Sequence, residues 1–431
     1  MTERILFTNA RLLDPASGVD RAGDLLAENG MIAALGPNLT RDGLGTDVHV
    51  VDCTGSCLAP GAIDMRVQLR EPGDEHQETL ATGAEAAIAG GITTMAMLPN
   101  TTPVIDDHAL VEFVGRRSRE LGRATIRTYA AATKGLQGRE LTEYGLLAEA
   151  GAVAFTDGVR AIADASVMRR ALSYASTFDL LIVQHPEEPS LSAGGAMNAG
   201  EIATRLGLAG ITPAAETIMV ERDLRLVEIT GGRYHAAHLS TAGAIDAVRR
   251  AKARGLDVTC DTAPHYFALN ETAVGDYRTF AKVSPPLRSE EDRRAVIEGL
   301  KDGTIDAIAS DHSPQDQESK RLPFASAEPG IVGLETLLPL SLELYHNGSL
   351  GLLQVIRALS QRPAEILRLP GGRLKPGAPA DLTLFDLDRP WRIDIAALHS
   401  KCKNAPYDHR PVQGKVTRTV IGGRTVFGLE P

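Results

Sequence analysis

Three polar side chains spaced two apart, Arg66, Gln68 and Arg70, alternate with Met65, Val67 and Leu69 in a stretch that follows a Pro60-Gly61 turn. On a β-strand alternate residues share one face, so these three project together. If the strand is buried, such a row belongs to a site, because unpaired polar groups in a core are costly. On an edge strand it would only face solvent. Further along the chain Asn100, Asp157, His185, His238 and Asp311 each stand at the end of an apolar run. Carboxylate and imidazole together are the donors that a divalent ion such as zinc takes. One histidine alone could equally be a structural residue whose ring hydrogen-bonds its neighbours. The joint placement of these groups at strand ends is what points to a site.

The elements that must position them form a regular series. Apolar strands are predicted at 57–69, 91–100, 126–132, 152–157, 180–185, 234–240, 258–262 and 305–311, with helical stretches such as 165–177, 242–254 and 291–300 between them. Strand–helix alternation implies parallel strands joined by crossover helices. Eight such units imply an α/β fold built on a closed (β/α)₈ TIM-like barrel, in which functional groups gather at the C-terminal ends of the strands. Two further helices are expected at 334–346 and 352–369. Residues 1 to about 56 read instead as short strands and turns, with Asn29-Gly30 as a hairpin signal. Strands return at 380–386 and at 415–426, the latter broken by Gly422-Gly423.

The run Ala59-Pro60-Gly61-Ala62-Ile63-Asp64, continued by Arg70-Glu71-Pro72-Gly73 and Glu75-His76-Gln77-Glu78-Thr79, resembles the start of the barrel in dihydroorotases. The likeness extends to Pro285-Pro286-Leu287-Arg288, to Gly330-Ile331-Val332-Gly333-Leu334-Glu335-Thr336 and to Ser400-Lys401-Cys402-Lys403-Asn404. It implies a metal-dependent cyclic amidohydrolase of pyrimidine synthesis that interconverts dihydroorotate and N-carbamoyl-L-aspartate. It also implies that residues 1–56 and 371–431 join into one β-sandwich beside a barrel of residues 57–370. By resemblance Asp157 bridges two metals, His185 and His238 hold the second, and Asp311 binds the first and serves as general base. Arg70 and Asn100 match residues that hold the substrate carboxylate.

Four positions depart from the family pattern. The resemblance places a His-x-His metal pair where this chain has Arg66 and Gln68, a substrate-binding asparagine at Ser284, and a substrate-binding histidine at Gln315. Arginine stays protonated and cannot ligate a metal. Gln68 offers only a neutral amide oxygen, a poor zinc ligand beside imidazole. The chain is therefore expected to hold at most one zinc, on Asp157, His185 and His238, or none. In the first case it is a single-zinc dihydroorotase with Asp311 as base, or a hydrolase shifted toward another cyclic amide or ureide. In the second, Arg66 pairs with Asp157 or Asp311 and replaces the cation's charge. The chain then resembles silent dihydroorotase homologues that assemble with aspartate transcarbamoylase, and an oligomer is expected.

Charge and composition narrow the partners. A net charge of -10 argues against nucleic acid and anionic membranes. Four scattered cysteines give no disulfide framework, which suits a reducing cytoplasm. No apolar run is long enough to span a membrane.

Overall fold

The computed structural model describes residues 4–39 and 48–429. Strands β1 (Arg4–Asp14), β2 (Val19–Glu28), β3 (Met31–Gly36), β4 (Val48–Asp52) and β5 (Cys57–Pro60) open the chain. The β2–β3 hairpin turns on Asn29 and Gly30 at φ 53° and 80°, the pair of positive angles that an Asn-Gly turn supplies. After the barrel come β16 (Leu382–Arg392), β17 (Pro411–Ile421) and β18 (Arg424–Gly428). All eight form one sheet, in which β16 pairs antiparallel with β5 and thereby joins the two ends of the chain. Cys57–Pro60 thus belongs to this sheet, and the first barrel strand begins after it.

That strand is β6 (Ala62–Val67). It is followed around the barrel by β7 (Ile92–Met97), β8 (Thr125–Ala131), β9 (Ala152–Thr156) and β10 (Leu181–Gln184). A two-stranded ribbon, β11 (Met197–Asn198) with β12 (Gly210–Ile211), lies outside it. The barrel resumes with β13 (Arg233–Ala236), β14 (Val258–Thr262) and β15 (Ala307–Ile308), giving eight strands whose ladders are parallel. Its ends meet where Val67 bridges His312 and the Gln68 N–H donates to the His312 carbonyl at 2.9 Å. The expected barrel and the sheet shared by both termini are both present.

The helices start where their caps dictate. Thr79, Asp107, Asp164, Thr241 and Ser289 each accept a backbone N–H of the first turn, which satisfies donors that the helix itself cannot pair. Their apolar faces and the outer faces of the strands make the main core. Inside the barrel a smaller cluster of Met65, Leu98, Tyr129, Leu181 and Val183 packs against Ile366 and Leu367, which close the floor. The polar groups are left at the opposite rim.

Candidate functional site

All six residues of β6 are buried, Arg66 among them. The Arg66 Nε donates to Asp311 Oδ1 at 2.8 Å, an ion pair between the first and last arcs of the barrel. Its Nη2 donates to the Gly158 carbonyl at 3.3 Å. Gly158 sits at φ +70°, and a Cβ there would lie 3.4 Å from the Cβ of Asn100. Glycine lets the loop after β9 turn close enough for its carbonyl to meet the guanidinium. Of the two carboxylates that could have taken Arg66, the structure selects Asp311.

Asp311 and His238 both have left-handed backbone angles, φ 52° and 42°. These end their strands sharply, and the two side chains meet: His238 Nδ1 lies 3.2 Å from Asp311 Oδ2. On its other side His238 Nε2 lies 2.7 Å from His185 Nδ1. With Asp311 ionised and both rings neutral, one tautomer assignment satisfies the chain: each imidazole carries its proton on Nδ1. His185 Nε2 is then left with a free lone pair, able to accept a hydrogen bond or a proton. Burial, the neighbouring His238 and the Arg66 charge hold the His185 pKa well below its ordinary value, so the ring is neutral. Burial opposes ionisation of Asp311, but the Arg66 guanidinium and the hydrogen bond from His238 outweigh it and keep the carboxyl below its usual range. His265, buried in the short helix after β14, stands 3.7 Å from Asp311 Oδ2 and is pushed down to about 4 by burial.

Gln68 is part of a neutral network. Its Nε2 donates to Ser313 Oγ at 3.0 Å, and its Oε1 accepts from Asn100 Nδ2 at 2.9 Å. Arg70, at φ 61°, donates from Nη2 to the Pro314 carbonyl at 3.1 Å. Two of the expected site residues are engaged elsewhere. Both oxygens of Asp157 accept from Thr133, at 2.8 Å from the backbone N–H and 2.6 Å from the hydroxyl. Gln315 donates from Nε2 to the Pro329 carbonyl at 2.9 Å, while its N–H goes to Asn404 Oδ1 at 3.1 Å. Ser284 is half-buried and precedes Pro285 on the loop after β14.

The side chains as arranged do not fit a bound metal. Among the described residues no group of three or more His, Cys, Asp or Glu side chains is placed to hold one. The expected set of Asp157, His185 and His238 is not assembled as a ligand cage: Asp157 is held by Thr133, and the two histidines spend ring nitrogens on each other. A ligating imidazole must present its lone pair to the ion, which a nitrogen donating or accepting a 2.7 Å hydrogen bond does not do. At the other position the cation is Arg66 itself.

Four participants were not found by reading the sequence: His265, Thr133, Ser313 and Asn404. His265 follows the β14 strand end within a few residues, a spacing that could have flagged it. Asn404 lies in the 400–404 stretch that carries the family likeness, but nothing in its spacing pointed to the barrel mouth. It donates to the carbonyls of Ser313 and Gly330, both at 3.0 Å, from 91 and 74 residues away, and so fixes the loop that carries Gln315.

A parallel barrel with polar groups at its rim and a sheet built from both termini is the architecture of the amidohydrolases. An L-hydantoinase from Arthrobacter aurescens superposes with a TM-score of 0.87 over 99% of this chain and 96% of that one, at 24% identity, a likeness in fold alone. Residues 55–244 match the Dihydro-orotase-like family model and residues 230–427 the Amidohydrolase family model. A dihydroorotase of Anaplasma phagocytophilum is 47% identical over 99% of this chain and 96% of the relative. One of Syntrophus aciditrophicus is 45% identical over 98% and 99%. The chain belongs to the dihydroorotase family of the amidohydrolase superfamily.

Proposed function

We propose that this chain serves pyrimidine biosynthesis as a dihydroorotase homologue with a silent or weak catalytic centre, kept as an assembly partner of aspartate transcarbamoylase. The observation that carries the reading is the buried Arg66–Asp311 pair at 2.8 Å. A fixed guanidinium occupies the carboxylate that resemblance makes the general base, and supplies the positive charge that a metal would bring. Asp311 is thereby stabilised as an anion and weakened as a proton acceptor. The altered contacts at Ser284 and Gln315 fit loss of substrate handling as well. A barrel without chemistry persists if its surface is needed, and a stable assembly would bury at least about 1,000 Å².

The relatives are named dihydroorotases, which supports in part a second reading of an active enzyme; in that reading one zinc would sit on Asp157, His185 and His238, with Asp311 as base. That reading requires Asp157 to leave Thr133 and the two histidines to part. Metal analysis of the purified chain, beside a dihydroorotate hydrolysis assay with added zinc, separates the two. The first expects less than one zinc and little or no turnover, with co-elution of the chain and aspartate transcarbamoylase from the same source at micromolar concentration. Zinc-dependent turnover at an ordinary enzymatic rate, or separate elution, overturns the corresponding half of the proposal.

A further inference from the structure

Beside Gln315 lies a cavity of about 560 Å³, within the range that holds small ligands, and none of Arg66, His185, His238 and Asp311 lines it. Its wall carries three lysines and an arginine against one carboxylate, on a chain whose net charge is -10. That carboxylate, Asp316, is already engaged: it accepts the Ser319 N–H at 2.8 Å and faces His76 Nε2 at 3.3 Å. Among the described residues the cations have no carboxylate partner. Arg321 is exposed, and its guanidinium makes no hydrogen bond or ion pair. Lys401, also exposed, gives its Nζ to the Glu75 carbonyl, and Lys403 gives its Nζ to the carbonyls of Leu398 and Ser400. Lys320 is 2% exposed, with its Nζ on the carbonyls of Glu328, Thr279 and Lys282 at 2.6, 3.2 and 3.4 Å. Carbonyls satisfy the N–H groups but leave the positive charge without a counter-charge. Burial and the neighbouring Lys282 push the Lys320 ammonium down to about 7, a cost that an anion in the cavity would relieve. The half-buried side chains of Phe280 and Ile395 supply an apolar part of the same wall.

We propose that this cavity binds a phosphate monoester carried on a planar body, the chemistry of a nucleoside monophosphate. Arg321 and Lys401 take the phosphate, and the Phe280 ring stacks on the planar group. Two features select this class. Cations without counter-charge in a concave wall concentrate an anion, and a phosphate dianion matches several of them at once through charge-assisted hydrogen bonds. The aromatic ring in the same wall is used only by a ligand with a flat face of its own. Inorganic phosphate would leave that ring bare, and a neutral base would leave the cations unmatched. The inference goes beyond the proposed function and holds whether or not the barrel rim is catalytic, because the reacting groups of the rim take no part in it.

Calorimetric titration of the full chain tests this, with adenosine 5′-monophosphate, adenosine and inorganic phosphate as probes. The monophosphate is expected to bind at least about fivefold more tightly than phosphate, through stacking, and at least about tenfold more tightly than adenosine, through charge. Arg321→Ala with Lys401→Ala, both at exposed positions, should weaken the monophosphate and phosphate at least about tenfold while the circular dichroism spectrum stays that of the wild type. Added salt should weaken the same two probes in the wild type. Phe280→Leu keeps an apolar side chain and should bring the affinity for the monophosphate close to that for phosphate. No binding of the monophosphate, adenosine binding as tightly, or affinity unchanged in the Arg321/Lys401 variant overturns the site. Salt-independent affinity in the wild type overturns it without any variant. Equal affinity for the monophosphate and phosphate, or a Phe280→Leu protein that binds as the wild type does, overturns the planar body and leaves a site for the oxyanion alone.

Discussion

Replacing Arg66 by methionine keeps most of the apolar stem and removes the guanidinium from a carboxylate whose side chain is only 10% exposed. The cost follows from what is left behind. Asp311 keeps a 3.2 Å contact to His238 but loses the one permanent positive charge beside it. Breaking a buried pair by removing one partner costs about 3–5 kcal/mol, because the other charge stays desolvated. His238 can still donate to the carboxylate, so the low end, about 3 kcal/mol, is expected. Asp311→Asn alone strands the arginine instead. The double variant Arg66→Met/Asp311→Asn removes both charges and should be far more stable than the sum of the single losses predicts, with a coupling of about 2 kcal/mol or more. The assay is urea unfolding at pH 7 in EDTA, followed by fluorescence of the single tryptophan, Trp391 in β16, and by circular dichroism for the barrel. Coincident transitions would license the free-energy comparison. An Arg66→Met protein as stable as the wild type, or a coupling near zero, would refute the claim that the guanidinium balances Asp311. So would a wild-type midpoint that falls when EDTA is added, since a metal would then be contributing.

The pair Arg66→His/Gln68→His returns two imidazoles to the position that resemblance assigns to a metal, and zinc content should rise above that of the wild type; turnover should stay low because Ser284 and Gln315 are unchanged. Full dihydroorotase activity from these two substitutions would show that positions 284 and 315 matter little. Burial lowers the folded pKa of His265 from 6.5 to about 4, so the folded state favours the neutral ring. The stability this gives is present above pH 6.5 and is lost as pH falls toward 4, where the unfolded chain binds the extra proton. Wild type should therefore lose up to about 3 kcal/mol relative to His265→Gln across that window, measured by paired urea titrations; parallel pH profiles would contradict the assignment.

Short-range sequence pattern determined much of this protein. Eight apolar runs alternating with helical stretches marked the barrel, and each became a strand because burial on both faces requires that composition. The return to strands after residue 380 suggested the sheet that β5 and β16 complete. Residue type alone made Arg66 useless as a ligand, whatever its surroundings. Direction was beyond the sequence. Whether Arg66 turned to Asp157 or to Asp311 depended on contacts between residues 245 apart. Thr133 holds Asp157, and that bond exists only because β8 and β9 lie side by side. Of the two histidines His235 and His238, His235 pairs with Asp261 at 2.9 Å, while a left-handed turn at φ 42° brings His238 to His185 and Asp311. Spacing along a strand names the face on which a side chain starts. The groups packed against that face decide which hydrogen bonds it can make, and they come from distant parts of the chain. A metal centre and a guanidinium-filled one can therefore share nearly the same local sequence pattern, and tertiary structure separates them.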